Sequence, residues 1–361
     1  MSHRTGFCPT YASARSRFLD AAHALGCRLE AYALDQKGPE GESLTMDVAM
    51  LGDPFPRQVI MVSSGLHGVE GFFGSAVQCR LLEAYLQSWQ PSPGHAFIFL
   101  HALNPYGMAW GRRWNEDNVD LNRNFLLPGA LYTGSPQTYR ELDAFLNPTS
   151  PPSRFEFFLA KAVFQILRYG MKTLKDSLPV GQYDFPKGLF FGGKKPAETH
   201  QMLALHLPRW LGGATEVVHI DLHTGLGPRA TYKLLIEEAE GSEQALWSAA
   251  QFGADVVETV ATGETAYSPR GSWAQWCKAK FPQCTYRFLT AEFGTYSTIQ
   301  IMEALRAENR AHFWGYPEVS YEWARAGLKE VFVPAAADWR EAVVSKGLKV
   351  VQQSMDACFR S

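Results

Sequence analysis

QVIMVSSGLHGVEGFFG (residues 58–74) passes from an unbroken apolar run into a Gly-rich bend and then into a segment with helical apolar spacing. A buried strand over 58–64 followed by a helix over 71–86 is the expected reading. It sets His67 and Glu70 on the turn between them. An imidazole and a carboxylate three residues apart supply two metal ligands from one turn. The carboxyl edge of a sheet is also where α/β proteins place their chemistry. HxxE by itself is a weak signal, so the rest of the chain has to decide.

Beyond that stretch, apolar runs alternate with amphipathic ones, as in a sheet covered by helices on both faces. Strands are expected at 58–64, 96–103, 216–223, 232–239 and 286–294. Helices are expected near 13–25, 71–86, 154–174, 199–211, 242–252 and 298–314. The fold class is therefore α/β, three-layered, with a mostly parallel or mixed central sheet. One compositional break, NPTSPPS (147–153), opens an aromatic-rich region that ends near residue 196. We read the chain as one catalytic domain over 1–361 with an insertion or lid at 147–196.

The 361 residues are 46% hydrophobic and 19% charged, enough apolar material for a large core. A net charge of −2 gives no electrostatic reason to expect nucleic acid or an anionic membrane as partner. No stretch approaches the ~18 apolar residues of a membrane span, and the N-terminal residues lack a signal-peptide core. Six scattered cysteines without a CxxC suggest neither a zinc ribbon nor a disulfide framework. A cytoplasmic protein is the expectation, and its oligomeric state is open.

Three further blocks carry candidate chemistry. HALNPYGMAWGRRWNEDNVDLNRNF (101–125) holds Arg112, Arg113 and Arg123, which are either ion-paired loop residues or forks for a carboxylate or an oxyanion. Asn122 adds a donor beside Arg123. In VVHIDLHTGLGP (217–228), His219, Asp221 and His223 share one face of a strand. His223, at the strand's edge, is the better ligand candidate, and His219 belongs to the core or behind the site. Asp221 either orients a neighbouring imidazole or is a satisfied buried acid. In LTAEFGTYS (289–297), Glu292 ends an apolar strand, where an acid needs a partner or a proton.

Taken in order, HxxE, NPYG, RRxN, VDLNRNF, DLHTG and AEFGT resemble the M14-like zinc carboxypeptidase family, in particular its DUF2817 branch. DLHTG is also similar to the related aspartoacylase and succinylglutamate desuccinylase group. The resemblance spans roughly His67 to Gly294. It implies one zinc per chain on His67, Glu70 and His223, and a catalytic carboxylate at Glu292. It further implies that Arg113, with Arg112 as the competing choice, polarises the scissile carbonyl. Asn122 and Arg123 would dock a terminal carboxylate. Tyr267 resembles the family's mobile tyrosine, although its spacing to Gly271–Ser272 is one residue short and Gln275 stands where an acid is usual.

The activity so implied is zinc-dependent hydrolysis of an amide next to a free carboxylate, in a peptide or small-molecule substrate. A C-terminal peptide and an N-acyl amino acid present the same carboxylate, so an N-acyl amino acid deacylase is the alternative. A non-catalytic metal-binding or scaffold protein is the rival of another class. Glu292 speaks against that rival, since binding alone needs no proton shuttle. A serine hydrolase is a weaker rival still, because no GxSxG elbow occurs.

Overall fold

Among the described residues, eight strands form one mixed sheet in the order β1-β2-β4-β3-β5-β8-β6-β7. The computed structural model describes residues 6–259, 269–315 and 319–359. The strands are β1 (Arg28–Lys37), β2 (Ser43–Gly52), β3 (Gln58–Ser64), β4 (His95–His101), β5 (Glu216–Gly225), β6 (Tyr232–Ile236), β7 (Val257–Thr259) and β8 (Thr285–Gly294). The centre, β4-β3-β5-β8, is parallel, while β2 pairs antiparallel with β4 and β6 antiparallel with β8.

Central strands are buried on both sides and read as continuous apolar runs, which made them visible in sequence. On one face, Ile60, Val62, Val218, Ile220 and Leu289 pack with Phe18 of α1 (Tyr11–Ala24), Phe73 and Val77 of α2 (Gly71–Arg80) and C-terminal helical residues including Trp339. On the other face, Val59, Met61, Val217, Tyr286 and Phe288 meet Leu203, Leu207 and Trp210 of one helix and Trp273 and Trp276 of another. Helices therefore cover both faces of the sheet.

The remaining helices are α3 (Pro105–Trp110), α4 (Gln137–Leu146), α5 (Phe158–Tyr169), α6 (Met171–Ser177), α7 (Glu198–Leu211), α8 (Glu243–Phe252), α9 (Trp273–Lys280), α10 (Thr298–Trp314), α11 (Val319–Phe332) and α12 (Ala337–Cys358). The single helix expected over 154–174 is broken into α5 and α6 by Gly170 at φ +80°, a value a continuing helix cannot hold. The strand expected to 239 stops at Ile236. Among the described residues, no helix is long and apolar enough to cross a membrane.

Candidate metal centre

β3 ends at Ser64, and Gly65, at φ +69°, turns the chain off the sheet edge. His67 follows in an extended conformation as the cap of a 3₁₀ turn, Gly68–Glu70, which brings its imidazole and the Glu70 carboxylate together. At Gly68 a Cβ would lie 2.2 Å from the carbonyl carbon of Gly107, so only glycine admits α3 at this distance. Backbone bonds then tie the turn to the arginine loop: Gly68 N–H donates to Arg113 O (3.1 Å) and Val69 N–H to Arg112 O (2.8 Å). Asn104 of NPYG caps α3 by accepting from Gly107 N–H, and its amide donates to Arg113 O.

β5 supplies the third member. His67 Nδ1 lies 3.0 Å from Glu70 Oε1, His223 Nδ1 lies 3.0 Å from Glu70 Oε2, and the two Nδ1 atoms are 3.2 Å apart. Donors ~2.0–2.1 Å from a tetrahedral zinc stand about 3.3 Å from one another, and the two Nδ1 atoms, each with one oxygen of the Glu70 carboxylate 3.0 Å away, are close to that spacing. Two Nδ1 atoms facing each other cannot both carry hydrogens, and lone pairs on both suit a cation. Charge agrees: the buried acids Glu70, Asp120, Asp221 and Glu292 converge on Arg113, Arg123 and the imidazoles of His67 and His223, and a divalent cation would add positive charge among them. The residues present therefore fit a zinc ion. All three ligand candidates are buried, and they form a group able to hold a metal.

Each imidazole is gripped from behind by a carboxylate. His223 Nε2 is 2.6 Å from Asp221 Oδ2, and His67 Nε2 is 3.3 Å from Asp120 Oδ1. At His223 such a partner keeps the proton on Nε2 and leaves Nδ1 free for a metal, whereas His67 Nε2 is shared between Asp120 and the Arg113 guanidinium, which can only donate. Behind Asp221 the chain of bonds continues: Ser63 Oγ donates to Asp221 Oδ1 (2.6 Å) and lies 2.8 Å from His219 Nε2, whose Nδ1 is 2.9 Å from Tyr286 Oη. Burial lowers His219 to about 3, so this imidazole is neutral and serves as a hydrogen-bonding link.

Glu292 is the register partner of His223 on β8, so the two side chains stand on the same face of the sheet. It is 8% exposed, and its Oε1 accepts from Leu226 N–H at 2.8 Å. Burial, then the Glu70 charge, raises its carboxyl to about 7 against the pull of His223. Burial also works to raise Asp120, but Arg113, Arg123 and His67 outweigh it and hold that acid well below the usual carboxylate range. For Glu70 the upward push of burial is likewise overcome by His67 and His223. Burial works to lower His223, and Asp221 and Glu70 outweigh it and raise it. The Thr224 hydroxyl, next to the Thr224 N–H that donates to Glu70 Oε2, is buried without a hydrogen-bond partner among the described residues.

The two adjacent arginines separate. Arg113 enters the cluster, with Nη1 3.2 Å from Glu70 Oε1, Nε 3.2 Å from Asp120 Oδ2 and Nη2 2.7 Å from His67 Nε2. Arg112 turns the other way, donating to Glu308 Oε1 (2.7 Å) and Asn118 Oδ1 (3.0 Å) in a fully buried pair. It lies outside the site, because Glu308 of α10 is its counter-ion. Asn122 Oδ1 accepts from Trp273 N–H at 3.1 Å. Arg123 is fully buried and donates to Pro179 O and Asn122 O, each at 2.7 Å, so the end of the 147–196 region covers it. Tyr267 lies outside the described residues.

Asp120, absent from the sequence-based site, lies at its centre; its only signal was its place two residues before Asn122 in VDLNRNF. Ser63 and Tyr286 carried no signal beyond their strands.

Among solved structures, the chain is similar to carboxypeptidase A from Helicoverpa armigera, at 12% identity and TM-score 0.46 over 91% of this chain and 74% of that one. Murein-tripeptide amidase MpaA from Escherichia coli O157 shows 20% identity and TM-score 0.37 over 81% and 93% of the two chains. An aspartoacylase family protein from Mesorhizobium loti shows 14% identity and TM-score 0.37 over 81% and 68%. No curated protein matches the sequence. A family model described as a protein of unknown function, DUF2817, matches residues 7–346, and the chain therefore belongs to the DUF2817 family.

Proposed function

We propose that the protein is a zinc-dependent hydrolase that cleaves an amide bond next to a free carboxylate, a carboxypeptidase-type reaction. The observation that carries this reading is the buried cluster of His67, Glu70 and His223, whose neighbouring donor atoms lie 3.0–3.2 Å apart, with the buried acid Glu292 beside it on the neighbouring strand. A zinc ion held there would supply Lewis acidity, lowering the pKa of water toward ~7 and polarising a carbonyl. Glu292, fixed by Leu226 N–H, takes a proton from the attacking water and returns it to the leaving nitrogen. Arg113 carries a guanidinium at the same wall, where negative charge grows on the carbonyl oxygen. Asn122 and Arg123 orient the substrate's carboxylate.

A second reading, N-acyl amino acid deacylase, is favoured by the Pro179–Arg123 contact. Chain lying over the carboxylate clamp leaves less room for a long peptide than for a short acyl group. The zinc-loaded protein assayed against N-acyl amino acids, short peptides and their C-terminal amides tests both. Hydrolysis of acids over amides supports the proposal, and the preferred acyl length selects between the two readings. Zinc bound at full stoichiometry with no hydrolysis of any amide would leave a metal-binding protein instead.

A further inference from the structure

Helix α5 is apolar on two sides. Its inner side, with Phe158 and Ala162 buried, packs toward α4 and α10. Its outer side carries Leu159, Val163, Phe164 and Leu167 in the open, with Phe155 and Phe157 just before the helix and Met171 just after it. Phe155 is 90% exposed and Leu167 81%. The outer apolar face of α5 is uncovered among the described residues, and clustered exposed apolar residues mark an interaction surface.

The segment is firmly presented. Glu156 pairs with Arg306 (3.1 Å) and with Arg310 of α10, and Arg310 also donates to Ser150 Oγ and Pro151 O. The apolar residues are thus held outward by buried ion pairs on the inner side.

Charge identifies the occupant. Residues 153–178 contain Arg154, Lys161, Arg168, Lys172 and Lys175 against Glu156 and Asp176, in a chain whose net charge is −2. The whole-chain value that argued against a membrane averages over this local excess. At 100° per residue, Lys161 and Arg168 stand along one edge of the outer apolar face, where long stems let their heads reach an anionic surface. A symmetric dimer through this face would bring two positive segments together. The 12-residue helix spans about 18 Å, too short to cross a bilayer and suited to lying in its interface.

We propose that α5, with Phe155 and Phe157, docks the protein on anionic lipid bilayers. The test is co-sedimentation of the full chain with vesicles of phosphatidylcholine alone and of equal parts phosphatidylcholine and phosphatidylserine. Binding is expected to the mixed vesicles and to fall with added salt. Phe164→Glu with Leu167→Glu abolishes it. Lys161→Gln, Arg168→Gln and Lys172→Gln together weaken it by roughly a hundredfold, at about 1 kcal/mol per basic residue near the surface. These three cations are exposed, so the glutamine variant decides the matter if the glutamate variant fails to fold. Equal binding to both vesicles, or none, overturns the proposal. So does a dimer that the glutamate variant dissociates without any vesicle binding.

Discussion

Replacing Asp221 by asparagine probes the candidate metal centre from behind without touching a proposed ligand. Asp221 is 1% exposed, and its oxygens are divided between His223 Nε2 at 2.6 Å and Ser63 Oγ at 2.6 Å. Asparagine keeps the shape but has one oxygen and one NH₂ group. If the NH₂ faces His223, Nε2 must accept and the proton moves to Nδ1, the atom needed for the metal. If the oxygen faces His223, Ser63 must become an acceptor and every donor through His219 to Tyr286 reverses. Either arrangement also loses the negative charge that makes the imidazole a better donor. Loss of such a partner costs about 10–100-fold in metal affinity, or roughly 1.4–2.7 kcal/mol. Competition for zinc against a chromophoric chelator measures this directly. Zinc affinity within twofold of the parent would refute the tautomer argument, and a matched Ser63→Ala variant shows how much of any loss comes from the network behind the acid.

Purified protein should hold about one zinc per chain, and His67→Ala should lose it by metal analysis. Glu292→Gln should retain the metal yet lose hydrolysis by ~10²-fold or more, and near-normal turnover would remove Glu292 from proton transfer. Arg123→Ala should harm substrates with a free carboxylate far more than their amides, whereas equal losses would reassign it to holding the 179–181 chain. Away from the site, Arg209 bonds, with help from Tyr32 and Trp210, hold Glu30 at about 2 against an ordinary value of 4.5. Because the folded value is depressed, this contribution is complete above pH 4.5 and fades as the pH falls toward 2. Chemical denaturation of Arg209→Gln should therefore differ from the parent at neutral pH and converge with it at low pH.

The strands that carry the site were legible because they are buried on both sides, and a period of two placed His219, Asp221 and His223 on one face without knowledge of their neighbours. The choice between Arg112 and Arg113 was not legible. Adjacent residues point oppositely, and the direction is set by Glu308, which lies 196 positions later. Asp120 was hidden among loop acids, since only the folded turn brings it to His67 and Arg113. β1 was missed because it is largely exposed, with only Leu34 of its ten residues buried. α12 was missed as well: Trp339, Val343, Val344, Leu348 and Val351 recur at helical spacing, but the segment carries no motif to draw the eye.

The close approach of Gly68 to Gly107 makes the HxxE turn and the arginine loop a single assembly. The two candidate ligands and the carbonyl-polarising candidate thus hold their positions through one another. Transplanting residues 65–71 into another scaffold without 101–125 would carry the donor atoms but forfeit their alignment. A homologue altered at either glycine would need a compensating change in the other segment to keep its ligands in register.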